Sequence, residues 1–158
     1  MKEIILNSEQ QKAYCKTWID EQNSDGSKTV ILRNTKTTPT DRQRRLWFLW
    51  VREVSISGIG QDDTVDDVHL RAKWKFVRPL LLEQSSLFAT IYNHFMETVE
   101  YSDTKSELCI EFARDFISTE KLTKENRIKS LKDFQRYWIS AGVNLTDPNL
   151  RGVDLKNV

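Results

Sequence analysis

Glycine and proline are scarce in this chain of 158 residues, with five and three copies. Such composition excludes a collagen-like or low-complexity chain and argues against a β-sandwich built on many tight turns. Cysteine is confined to Cys15 and Cys109, far apart and in no CxxC pair. The two histidines, His69 and His94, show no HxxxH-type spacing. A structural zinc site is therefore not expected, and neither is any other metal or cofactor. No apolar run approaches the ~20 residues that a membrane-spanning helix needs. The first eleven residues hold no apolar stretch followed by a small-residue cleavage site, so a secretory signal is not expected. The expected location is cytoplasmic, where both thiols stay reduced. Neither GxxxxGK[ST] nor GxSxG occurs, which removes the usual signatures of a nucleotide-phosphate loop and of an acyl nucleophile.

What the chain does have is segregated charge. Lysine and arginine total 24, aspartate and glutamate 23, for a net charge of +1. Within that near-neutral whole, two segments gather cations beside tryptophan. Residues 40–54 carry Arg42, Arg44, Arg45 and Arg52 around Trp47 and Trp50, with Lys36 just upstream. Residues 67–79 carry Arg71, Lys73, Lys75 and Arg78 around Trp74. Concentrated positive charge points to an anionic partner, and interleaved aromatic rings make nucleic acid the first candidate, since ring faces stack on bases.

Pattern and punctuation predict an α+β fold, helix-rich, in one domain over residues 1–142 with a polar, mobile tail over 143–158. Residues 2–6 and 28–33 are short apolar runs that read as strands flanking a helix that starts at Ser8, a small β-α-β sheet element. In that helix Ala13, Tyr14, Trp18 and Cys15 are expected to face inward. Thr38-Pro39 begins the next helix, which runs to about Ser57 with an apolar centre at 46–51. Thr64 caps another, ending near Pro79. Leu87, Phe88, Ile91, Tyr92, Phe95, Met96 and Val99 recur at helical spacing and predict a core stripe. A helix over 106–117 follows. Thr123 caps the last long helix, with Ile128, Leu131, Phe134 and Trp138 on one face, and Gly142 ends it.

At about 100° per residue, Arg71, Lys75 and Arg78 fall within about 60° of one another, with Trp74 at the border. Arg45 and Arg52 share a face of the first basic helix. The residues expected to contact DNA are Lys36, Arg42, Arg44, Arg45, Arg52, Arg71, Lys73, Lys75 and Arg78, with Trp74 stacking on a base. No catalytic residue is expected. Asp62, Asp63, Asp66 and Asp67 read as carboxylates at a helix start, and His69 as a hydrogen-bonded histidine near the core. The competing view sets His69 among those aspartates in a metal-dependent nuclease or nuclease subunit, whose chemistry needs convergent carboxylates. An adaptor that binds a single-strand-binding protein is a third reading.

Residues 40–47, running through Arg42-Gln43-Arg44-Arg45 into Leu46-Trp47, resemble the bacteriophage NinB (Orf) recombination proteins, whose pattern here is a Gln-Asn-Arg-x-Leu/Tyr-Trp helix start. Arg44 falls on the family arginine, whereas Arg42 and Gln43 replace its two amides. Asp67-Val68-His69 with Lys73 and Phe76 is similar to a helix of related phage proteins. Ser118-Thr119, Leu122-Thr123, Gly142, Leu145 and Pro148 are similar to the close of many members. The resemblance implies a recombination mediator without enzymatic activity, working in a bacterial host cell as a homodimer. It implies that the protein prefers single-stranded DNA and helps load a recombinase onto strands coated by a host single-strand-binding protein.

Overall fold

The computed structural model describes residues 9–23, 25–27, 29–30, 38–59 and 63–156. The chain divides into two compact units, Met1–Thr37 and Thr38–Val158, so the boundary falls ahead of the first basic segment and not at residue 142.

The first unit holds α1, Glu9–Asp20, none of whose residues is buried. Ala13 and Tyr14, expected inward, are exposed, while Cys15 and Trp18 are half-buried. Beyond it Asp25 accepts the Ser27 backbone N–H at 2.9 Å, closing a turn in which Gly26 takes φ 78°.

The second unit is helical. Its elements are α2 (Pro39–Ser57), α3 (Val65–Ala72), a π-helical turn (Lys73–Val77), α4 (Arg78–Gln84), α5 (Ser86–Val99), α6 (Lys105–Phe116) and α7 (Lys124–Ser140), with 3-10 turns at Thr119–Lys121 and Pro148–Arg151. Among the described residues there is no strand, and over them the expected α+β class is corrected to a helical one. The two proposed strands, at 2–6 and 28–33, lie outside the described residues apart from Thr29 and Val30, which are not extended into a sheet. A short apolar run carries no periodicity long enough to separate strand from other structure.

Local chemistry sets the helix ends. Thr38 accepts from the Asp41 N–H at 3.1 Å while Asp41 accepts from the Thr38 N–H at 3.1 Å. Thr64 and Asp67 repeat this reciprocal box at α3, and Thr123 caps α7 through the Asn126 N–H at 3.3 Å. These pairs satisfy orphan donors of each first turn. α2 stops at Gly58, whose φ of 67° is a left-handed position that a side chain rarely adopts.

α2 packs against α3 and α7, α3 against α6, and α4 against α5. Phe134 of α7 is fully buried and sits at the centre, with its ring 5.1 Å from Trp47, 5.8 Å from Trp50 and 5.5 Å from Phe76. The expected α5 stripe is only partly inside: Phe88 and Val99 are buried, whereas Leu87 and Ile91 are exposed.

Two departures alter the reading of the second basic segment and of the tail. The helix that begins at Val65 does not end near Pro79 but continues to Gln84. Pro79 has no N–H, and its ring would meet the Lys75 carbonyl of a regular α-helix. The π turn accommodates it: the Arg78 N–H bonds to the Lys73 carbonyl five residues back. Residues 143–156 are packed, with Val143, Pro148, Val153 and Leu155 buried. The Trp50 indole N–H donates to the Thr146 carbonyl at 2.8 Å, and the Glu53 carboxylate accepts from both the Thr146 N–H, at 2.9 Å, and its hydroxyl.

Candidate nucleic-acid interface

The inserted residue of the π turn rotates everything after it by roughly one residue's angle, about 100°. The stripe of Arg71, Lys75 and Arg78 expected from an uninterrupted helix therefore does not form one outward face. Arg71 points to Asp63, with Nη1 2.5 Å from the carboxylate. Arg78 lies with its guanidinium carbon 4.3 Å above the Trp74 ring, and its Nη1 donates to the Tyr92 hydroxyl at 3.0 Å. Trp74 itself is half-buried, 6.0 Å from the Tyr92 ring. Covered by Arg78 on one side and Tyr92 on another, its indole is not a free base platform, and Trp74, in the π turn, and Arg78, at the start of α4, are corrected from DNA contacts to structural residues packed on Tyr92 of α5.

Lys73 is corrected too. It is 7% exposed, and its Nζ donates to the Arg114 carbonyl at 3.3 Å. Burial, and then the Arg114 charge, push its ammonium below the usual lysine range. Lys75 stays at the surface with its Nζ 3.3 Å from the Tyr137 ring centre, a cation–π contact. Lys36 lies outside the described residues.

The acidic cluster is apportioned one by one. Asp63 takes Arg71, Asp66 takes Arg114 of α6 at 2.9 Å, and Asp67 completes the α3 cap. Its Thr64 bonds hold the Asp67 carboxyl below its usual range. Asp62 lies outside the described residues. His69 accepts the Trp47 indole N–H at Nδ1, 3.0 Å, and faces Phe48 with ring centres 5.0 Å apart. Burial drives its pKa down to about 4, with Lys73 adding to the shift and Asp66 opposing it. A neutral ring with Nδ1 accepting carries its proton on Nε2. Among the described residues no group of three or more His, Cys, Asp or Glu side chains converges as a metal site would.

α2 presents the cations that remain at the surface. Its inner face is Gln43, Leu46, Trp47, Trp50, Val51 and Val54, all buried. Arg45 and Arg52 lie about 20° apart on the opposite face, and both are exposed. Phe48 lies between them in sequence and is 44% exposed. Among the described residues neither arginine makes a hydrogen bond or ion pair; Arg45 acts on Asp41 only through its charge. Arg42, near the start of the same helix, donates to the Gly152 carbonyl at 3.4 Å. Arg44 pairs with Glu120 at 3.1 Å, both side chains well exposed. Of the ten expected contacts, the structure thus brings Arg45 and Arg52 together with Phe48, which the sequence places in the apolar centre of the helix. Its signal was present: Phe48 falls outside the Leu46–Trp50–Val54 side of the helical wheel.

No protein-family model, no curated protein and no solved structure matches the chain. No helix among the described residues is long and apolar enough to cross a membrane.

Proposed function

We propose that the protein binds single-stranded DNA through the outward face of α2, as an accessory factor of phage DNA recombination without catalytic activity of its own. The observation that carries the reading is Arg45 and Arg52 flanking an exposed Phe48 on one helix face, with neither arginine committed to a carboxylate. Guanidinium groups so placed meet phosphates spaced along a strand, and an exposed ring between them stacks on a base worth about 1–3 kcal/mol. Arg42, Arg44 and Lys75 serve as outer contacts. The recombination role, the host single-strand-binding protein, the recombinase and a second copy of the chain as partners rest on the NinB resemblance alone.

The test is binding of a labelled single strand across a salt series, followed by the same series with Arg45→Ala/Arg52→Ala. Each phosphate contact on a single strand contributes about 0.7 to the slope of log K against log salt, so the double variant should bind more weakly with a slope flatter by about 1.4. Phe48→Ala should lower affinity while leaving the slope unchanged. A double variant that binds as the parent does at every salt concentration overturns the assignment of this face.

A further inference from the structure

A cleft of about 190 Å³ opens between the first turns of α2, the Thr119–Lys121 turn and α7, lined by Gln43, Arg44, Trp47, Arg127 and Leu131 among others. It lies wholly within the second unit. Its volume is several times the ~30 Å³ share of one water and below the ~300–1,000 Å³ of sites for drug-sized ligands. One ring-sized group fits that range.

The polar groups of the cleft are spoken for with one exception. Arg127 donates from Nε to the Thr119 carbonyl at 3.3 Å, from Nη1 to the Thr40 hydroxyl at 3.1 Å and from Nη2 to the Leu122 carbonyl at 3.2 Å. The Ser130 hydroxyl donates to the Arg127 carbonyl at 2.7 Å, and the Trp47 indole is bound to His69. Gln43 is the exception. It is 6% exposed, and its buried Oε1 has no partner. A buried amide oxygen left alone is costly, and native proteins seldom retain one without a use. A rotation of the Gln43 side chain into the cleft would present one donor and one acceptor side by side, the edge that glutamine uses to hold adenine by two hydrogen bonds. Trp47 and Leu131 supply apolar walls for a flat ring.

We propose that this cleft receives one base of the bound strand, adenine preferentially, with the Gln43 amide as the reading group. The proposal rests on the α2 reading above, because the strand has to reach the mouth. Arg44 stands at that mouth one helical turn before Phe48 and about 40° from it around α2. A strand on Arg45, Phe48 and Arg52 therefore passes the opening. The exposed Arg44–Glu120 pair at 3.1 Å is of a kind that contributes little to stability. Arg44 can exchange that carboxylate for the phosphate next to the inserted base at little cost.

The experiment compares equal-length single strands of adenine, of thymine and of abasic sugar-phosphate, together with free adenosine monophosphate, on the full chain and on Gln43→Leu and Gln43→Glu. Adenine strands should bind about tenfold more tightly than thymine ones, the Leu variant should lose that difference, and the Glu variant should lose most of it; abasic strands, which also lose the stacking on Phe48, should bind most weakly to parent and variants alike. The Leu variant, freed of an orphaned amide, should melt at a higher temperature than the parent, which shows that it folds. If the parent binds adenine and thymine strands equally and Gln43→Leu changes nothing, the cleft reads no base and its amide is served by water, while the α2 reading survives. If no strand binds but adenosine monophosphate does so in a Gln43-dependent way, the strand reading fails and the cleft stands as a base site. Binding of neither overturns both.

Discussion

The indole N–H of Trp47 donates to Nδ1 of His69 across 3.0 Å, tying the inner face of α2 to α3 through a histidine that burial keeps neutral down to a pH of about 4. The bond requires a ring acceptor, so protonation at Nδ1 breaks it and leaves a charge facing Lys73.

A pH dependence follows with a definite sign. The folded ring titrates near 4 and the unfolded one near 6.5. Between these values the unfolded chain holds a proton that the folded chain does not, so stability falls as pH drops through this window and is flat in this residue outside it. Asp66, which favours the charged ring, and Lys73, which opposes it, are both near enough to act on it. His69→Gln retains an acceptor for Trp47 without a titrating group. Urea unfolding of both proteins between pH 7 and 4 should show the parent losing more stability than the variant. A gap that stays constant across the series would mean that His69 titrates at its ordinary value.

Sequence grounds place Arg71 among the phosphate contacts of its segment, yet Asp63 holds it. Arg71→Ala should therefore change strand binding by less than twofold, far below the effect of Arg45→Ala/Arg52→Ala. Asp63→Asn releases the guanidinium and removes a nearby negative charge. That variant should bind single strands a few-fold more tightly at low salt, an advantage that fades as salt screens it. Tighter binding absent at every salt concentration would place Arg71 off the path of the strand.

Arg78 exemplifies a cation spent on structure. It lies over Trp74, reaches the Tyr92 hydroxyl and buries an Nε that has no partner. Arg78→Ala should destabilise the protein by about 1–3 kcal/mol, the range for loss of a partly buried stacked and hydrogen-bonded group. Arg78→Lys should recover only part, since an ammonium lacks the planar fork. Denaturant unfolding measures both. At temperatures where each variant stays folded, strand affinity should match the parent, which separates this arginine from Arg45 and Arg52.

The sequence discloses features that are settled within a few residues. Thr38 with Asp41, Thr64 with Asp67 and the stripe of Ile128, Leu131 and Phe134 are legible because a cap or a helical face needs only spacing. The fate of the second basic segment is not, because it turns on a π turn that Pro79 imposes from the segment's last position. A regular wheel puts Lys75 and Arg78 beside Arg71; one inserted residue moves them. Lys73 looks like a surface cation because its aliphatic stem, which takes it into the core, leaves no mark on a charge count. Gln43 hides for a related reason: an amide in an arginine-rich run reads as solvated, and only packing shows its oxygen stranded.

Residues 143–156 had the composition of a loose tail, and their anchoring leads to the largest stability effect expected in the molecule. Val143, Val153 and Leu155 are buried in the same core as Trp50 and Phe134, and each such side chain contributes about 1.5–3 kcal/mol. Thr146 satisfies the Trp50 indole and both oxygens of Glu53. Truncation after Gly142 strips those partners and opens the core, at a cost comparable with the roughly 5–15 kcal/mol of a whole domain; the truncated chain should not fold cooperatively on heating. A milder probe acts at Gly152, where φ is 66° and an added Cβ would stand 3.0 Å from Nη1 of Arg42. Gly152→Ala should lower stability by about 1–2 kcal/mol through backbone strain, with the Arg42 side chain shifting aside. Limited proteolysis gives an independent reading. The intact chain should resist cleavage across 143–156, and Thr146→Ala, by depriving Glu53 Oε1 of its hydroxyl donor, should make that segment the first to be cut. Early cleavage there in the parent protein would show that the segment is not held as its contacts require.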